Sequence, residues 1–288
     1  MPNHITNVIS VSGPGAHEFL MKFINKHGYF DFNKVIPIPK ELDIPASSWV
    51  EGLAHALRGK PSPYASEELA QARSKEEMLA YWKKKIGSEF KQNLAWAKQY
   101  LENIEKYGYP TWYEANRAIW GTKWNAYSQQ FLNRRIPSEI KKGVKFRCET
   151  FTARHETAYQ KRVIKKWQKR YQITSWKFET AWSTPVPIWE NMINQLIPGL
   201  TLAIQYADED TGNNCGYMAF TLDPEVGLLE TVNIAPSWRD QSSAERKQWM
   251  AFAFELCHPN TDPRKYGYDE NWHYSDEVYE AWEKEHAA

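Results

Sequence analysis

Residues 5–12 read Ile-Thr-Asn-Val-Ile-Ser-Val-Ser, an apolar–polar alternation that returns in segments at 173–182, 200–207 and 215–222. A period of two turns one row of side chains to a core and the other away from it, so each segment predicts a half-buried strand. Phe30–Phe32 and Val35–Pro39 predict a further short extended segment, stopped by prolines. A helix is predicted from Ala16, with Phe19, Leu20, Phe23 and Ile24 on one face. A second follows Pro185 and Pro187, runs through Trp189, Met192, Ile193 and Leu196, and ends at Pro198-Gly199. Residues 208–214, Asp-Glu-Asp-Thr-Gly-Asn-Asn, predict a solvated hairpin turn. The resulting order is strand, helix, short strand, strand, helix, strand, strand. That is close to a split β-α-β plan, an α+β class with an antiparallel sheet and helices on one face.

The intervening sequence predicts additions to this plan. Residues 43–65, rich in Pro, Ser, Gly and Ala, predict a loop. Ser74 and Glu77 form a capping box. Met78, Trp82, Ile86, Phe90, Leu94, Ala97, Leu101 and Ile104 then recur at helical spacing, with Gly87-Ser88 the expected break and Tyr107-Gly108 the stop. Tyr113–Phe131 is expected to be helical on both sides of Trp-Gly-Thr-Lys-Trp at 120–124. In the basic stretch 138–171, Tyr159, Val163, Ile164 and Trp167 share a helix face. A capped helix beginning near Ser243 follows Pro236, and Ser275 caps a last helix whose first turn carries Asp276 and Glu277.

The 288 residues include 14 Trp, 16 Tyr and 12 Phe, enough aromatic area for a large core in which indole and phenol groups need partners. Cys148, Cys215 and Cys257 are too few and too scattered for a disulfide framework, which points to a reducing compartment. The opening residues carry neither a basic leader nor a long apolar run, and no stretch reaches the length of a membrane span. The expectation is a cytoplasmic protein without a membrane partner. Net charge is +1, yet residues 133–172 carry +10 and residues 201–288 carry −11. Three readings of that polarity stand side by side: the poles face each other, the basic stretch binds phosphates, or a pole docks on an oppositely charged protein.

Several motifs together resemble a known family. They are Pro2-Asn-His-Ile-Thr-Asn7, Lys34-Val-Ile-Pro-Ile-Pro-Lys-Glu-Leu42, Trp120-Gly-Thr-Lys-Trp-Asn125, Phe178-Glu-Thr-Ala-Trp-Ser-Thr-Pro185, and Tyr206-Ala-Asp-Glu-Asp210 with Gly212. The set resembles phage and plasmid proteins that carry a YubB-type ferredoxin-like domain. The resemblance covers residues 1–42, 113–127 and 173–222. It implies a ferredoxin-like fold and a mobile-element origin, hence the cytoplasm of a bacterial host, and it carries over no catalytic residues. The predicted organisation is a discontinuous core of 1–44, 110–132 and 173–235, with a helical insertion at 45–109. A basic helical stretch at 133–172 and an acidic, aromatic C-terminal extension at 236–288 complete it.

No catalytic residues, metal ligands or cofactor are assigned from the sequence. The histidines lack ligand spacing, three distant cysteines cannot hold an iron–sulfur cluster, and Gly13-Pro14-Gly15 lacks the lysine and serine of a phosphate loop. One candidate binding cluster is Trp120, Lys123, Trp124, Asn125, Trp182 and Asp208, a lysine among indole faces near an acidic turn. Its competing roles are a structural clamp, a ligand contact and a lysine nucleophile. The second candidate surface is Arg134, Arg135, Lys141, Lys142, Lys161, Arg162, Lys165, Lys166, Lys169 and Arg170, facing a protein partner or nucleic acid. Trp176 and Phe178 alternate onto one face, either a base-stacking platform or a core row. The leading functional expectation is a non-enzymatic mobile-element protein that binds a host protein and inhibits a defence or regulatory system. Nucleic-acid binding through 133–172 is the alternative, and an enzyme using Lys123 is a further one. The sequence sets no oligomeric state.

Overall fold

The computed structural model describes residues 3–62, 65–72, 74–131 and 173–287. The basic stretch, with the ten Arg and Lys residues named for it, lies outside the described residues. The chain divides into two compact units, Met1–Ile36 with Gly121–Ala288, and Pro37–Trp120.

The first unit is built on a six-stranded sheet. In chain order it contains β1 His4–Ser12, α1 Ala16–Met21, β2 Tyr127–Phe131, β3 Ser175–Ala181, α7 Val186–Ile193, β4 Thr201–Asp208, β5 Gly216–Asp223 and β6 Gly227–Ile234. Two further helices, α8 Ser243–Cys257 and α9 Asp276–His286, follow the sheet. The strand order is β2-β3-β1-β4-β5-β6 and every neighbouring pair is antiparallel. The portion β1-α1-β2-β3-α7-β4, with β1 between β3 and β4, is the ferredoxin-like arrangement, and β5 and β6 widen it at one edge.

Alternation explains how the sheet is covered. Register places Ile9 opposite Trp176 and Ile204, and Asn7 opposite Phe178 and Tyr206. These residues point to one face and are buried. The face is filled by aromatic rings: Phe178 lies 5.2 Å from Phe30 and 5.9 Å from Trp189 of α7, while Phe19 of α1 and Phe23 join through Phe30. Trp176 and Phe178 are therefore core residues, not a platform for bases, and the Trp176 indole N–H donates to Gln129 Oε1 at 2.8 Å. The opposite row includes Thr6, Lys177, Ala207 and Cys215. There α8 packs Trp249 and Ala253 on Ala207 and Cys215. Its N-terminus carries a full capping box formed by Ser242 and Glu245, one residue before the expected cap.

The second unit is helical: α2 Ser48–Leu57, α3 Glu67–Ala70, α4 Lys75–Ile86, α5 Phe90–Tyr107 and α6 Trp112–Ile119. The expected break at Gly87 is a 3-10 turn over Gly87–Glu89. Val50, Leu53, Met78, Trp82, Ile86 and Ala97 form its core. Gly52 allows α2 to meet Trp82, because a Cβ there would lie 2.1 Å from the indole ring.

Three local expectations are corrected. The 43–65 loop contains α2: Ser47 caps it through Val50 N, and Val50, Leu53, Ala54 and Leu57 give it a helical apolar face. Residues 30–39 hold no ladder strand but a single bridge from Phe30 to Ile24 and a 3-10 turn at Phe32–Lys34, capped by the Asp31 carboxylate, which accepts from Asn33 N. The chain after the Trp-Gly-Thr-Lys-Trp motif is the edge strand β2, because Gln129 ties it to Phe30 and Trp176. β6 goes beyond the strands read from the sequence.

Candidate functional site

The two tryptophan motifs meet at one end of the sheet. Thr122 donates its hydroxyl to Ala181 O at 2.7 Å, and the Ser183 hydroxyl donates to Gly121 O. Gly121, at φ 76°, lies close to Pro187: an added Cβ would stand 2.9 Å from the proline ring. These contacts set Lys123 beside both indoles, with Nζ 4.5 Å from the Trp124 ring centroid and 5.2 Å from that of Trp182. Cation–π attraction holds an ammonium in such a position.

Trp182 has φ 76°, a conformation a bulky side chain adopts only when its surroundings impose it. The imposing contacts are hydrogen bonds. Trp182 N donates to Asn3 O at 2.9 Å, and Asn214 Nδ2 donates to Trp182 O at 3.4 Å. Asn214 also donates to Asp208 Oδ2 at 3.0 Å, while Asp208 Oδ1 accepts from Asn3 Nδ2 and from Asp210 N. Asp208 is thus buried, and the turn that the sequence suggested was solvated has its first carboxylate turned inward.

A buried polar chain runs behind the motif. Trp189 Nε1 donates to Thr184 Oγ1, Thr184 donates to Asn7 Oδ1, Asn7 Nδ2 donates to Thr180 Oγ1, and Thr180 donates to Ser183 O, each at 2.8 Å. On the outer side His4 Nδ1 and the Tyr127 hydroxyl are 2.6 Å apart, and burial raises the Tyr127 pKa strongly, with Glu179 and Glu209 adding to it.

Of the sequence-selected cluster, Lys123, Trp124 and Trp182 come together, and Asp208 reaches Trp182 through Asn214. Asn125 turns elsewhere, donating to Asp31 Oδ1 at 2.7 Å and accepting from Phe32 N at 2.9 Å. Trp120 closes α6 and is buried. The arrangement joins β1, β3 and β4 at their ends and spends its carboxylate and amide groups on one another.

Under α8 lies a second cluster. Lys177 donates Nζ to Leu256 O at 2.6 Å, and its pKa is lowered by burial. Burial pushes the Cys215 thiol up to about 12 and raises that of Cys257. Both groups are poor thiolates, in keeping with packing rather than nucleophilic attack. Among the described residues no group of three or more His, Cys, Asp and Glu side chains could hold a metal ion. No helix among them is long and apolar enough to cross a membrane.

The feature that sequence reading missed is the β6 edge. β6 pairs in unbroken register with β5 from Gly227 to Ile234 and, among the described residues, has no strand on its other side. Leu228, Val232 and Ile234 are 49%, 52% and 47% exposed, although they continue the row of Met218 and Phe220, which are buried. Among the described residues the opposite edge is β2, a five-residue strand with a register shift between Tyr127 and Gln130. A short bulged edge discourages pairing, whereas a long regular apolar one invites it. The signal for β6 was present: the Asp223–Gly227 turn follows one apolar run and precedes Leu228, Leu229, Thr231, Val232 and Ile234.

A family profile described as "Ferredoxin-like domain in Api92-like protein" matches residues 162–234. The match ends on the last residue of β6 and leaves β1, the central strand, outside. It supports a ferredoxin-like domain in this chain, in agreement with the sheet topology. No curated protein and no solved structure matches the chain.

Proposed function

We propose that this protein acts by binding another protein, without catalysis. The observation that carries the reading is the β6 edge, an eight-residue strand with half-exposed Leu228, Val232 and Ile234 and, among the described residues, no strand on its outer side. Large apolar side chains exposed in one row mark contact surfaces. The motif cluster supports the non-enzymatic part, since Asp208, Asn3 and Asn214 are engaged with one another and with backbone. The resemblance to phage and plasmid proteins sets the context: a mobile-element factor in the cytoplasm of a bacterium, whose partner belongs to a host defence or regulatory system.

Capture from bacterial lysate after nuclease treatment tests this. A stoichiometric protein retained by the wild-type chain and lost from the Leu228→Asp/Ile234→Asp variant is expected. Retention of nucleic acid alone would overturn the reading in favour of the +10 stretch at 133–172.

A further inference from the structure

The β6 edge carries more information than its exposure, because ladder geometry fixes which backbone groups it offers. Ala235 N donates to Cys215 O, so residue 235 faces β5. Strand residues alternate, so Leu229, Thr231 and Asn233 also aim their N–H and C=O groups at β5. The outward groups therefore belong to Leu228, Glu230, Val232 and Ile234. These four residues also share a side-chain row, because Met218 opposes Val232 and Phe220 opposes Glu230. The edge thus presents four N–H donors, four C=O acceptors and a side-chain sequence of Leu, Glu, Val and Ile.

Charge then selects the occupant. Residues 201–237, which include β4, β5 and β6, hold six acidic residues and no Lys or Arg. Glu230 has no ion-pair partner among the described residues. A second copy of the chain offers no relief. In any two-fold pairing of β6 with itself, the residue opposite Glu230 is apolar or another Glu230, and like charges directly opposed are destabilising. A basic residue at that position, between apolar residues, satisfies the row.

Building on the protein-binding reading, we infer that β6 accepts an added antiparallel strand from a protein partner. The partner segment is extended, apolar at alternate positions, and carries Lys or Arg opposite Glu230. Main-chain bonds supply the attachment and the side-chain row supplies the selection, the division of labour expected of strand addition. In the antiparallel direction the partner reads apolar, x, apolar, x, basic, x, apolar.

The probe is the end-blocked heptapeptide Val-Thr-Val-Thr-Lys-Thr-Val, with a control in which Glu replaces Lys, titrated by NMR against the full chain. The wild-type chain is expected to bind the Lys peptide at least tenfold more tightly, and Glu230→Lys is expected to reverse that preference. Val232→Pro removes one outward N–H and leaves the bonds to β5, as an edge proline does, so it should weaken binding at least tenfold. N-methylation of the peptide should do the same with the chain unaltered. Equal binding of both peptides, or full binding to Val232→Pro, would overturn the inference. So would a concentration-dependent dimer abolished by Val232→Pro, which assigns the edge to a second copy. A lysate partner still captured by Val232→Pro would sink strand addition and leave the protein-binding reading standing, whereas capture of no protein would sink that reading.

Discussion

Thr184→Val tests whether the buried polar chain secures the motif end of the sheet. Valine keeps the shape of threonine and removes the hydroxyl that accepts from Trp189 Nε1 and donates to Asn7 Oδ1, both at 2.8 Å. Asn7, Thr184 and Trp189 are all buried, so water does not replace what is lost. Each orphaned partner costs about 1–3 kcal/mol. The added methyl returns about 0.8 kcal/mol. The net loss is about 3 kcal/mol, a large share of the roughly 5–15 kcal/mol that holds a domain folded. Amide hydrogen exchange in β1 reads this out locally. At a tenfold change per 1.4 kcal/mol, β1 amides should exchange about a hundredfold faster. The comparison variant is Thr221→Val, which breaks a partly exposed hydroxyl pair with Thr201 and should cost under about 1 kcal/mol. A change of less than about fivefold in β1 for Thr184→Val would refute the claim that this chain of hydrogen bonds clamps the strands.

Other predictions follow from burial and topology. A fragment of residues 162–234 should remain unfolded by circular dichroism, because β1 lies between its β3 and β4 strands; a cooperative transition would contradict this. Gly52→Ala should destabilise the helical unit by about 1–3 kcal/mol, seen as faster exchange in α4 and α5, because the new methyl overlaps the Trp82 ring. Stability should fall as pH rises from about 9 towards 12. Folding raises Cys215 from 9.0 and Tyr206 from 10.0, each to about 12, so across that window the folded chain keeps protons that the unfolded chain releases. Their contribution is full below the unfolded pKa values and is lost as pH passes the folded ones. Lys177, with its pKa lowered by burial, acts in the opposite sense below 10.5. Urea midpoints between pH 8 and 11 measure the sum, and Cys215→Ala should flatten the early part of the fall.

The ferredoxin-like plan was legible because β1, β3, β4 and β5 each alternate one buried row with one covered differently. α1 and α7 were legible because Phe19, Leu20, Trp189 and Met192 recur at helical spacing. α2 was hidden inside a Pro- and Ser-rich segment whose Ser47 cap and Val50–Leu53–Leu57 spacing are local signals masked by composition. β2 was hidden because Gln129 becomes a strand residue only through its long-range bonds to Phe30 and Trp176. The motif cluster was legible in part. Spacing placed Lys123 beside Trp124, but only the fold brings Trp182 to the same ammonium and turns Asp208 inward. Asn125 looked like part of that cluster by adjacency, whereas its amide anchors Asp31 and Phe32. The turn at Asp223–Gly227 and the apolar run after it signal β6 as a strand, whereas its place at the edge of the described sheet rests on long-range pairing that no local pattern encodes.

Residue-resolved amide exchange of β6, with and without the Lys heptapeptide, tests strand addition most directly. In the free chain Leu228, Glu230, Val232 and Ile234 should exchange fast, while Leu229, Thr231 and Asn233 are protected by β5. Saturation with the peptide should slow the four fast amides and leave the three slow ones unchanged. Peptide bound at saturation with those four amides still fast would contradict the account.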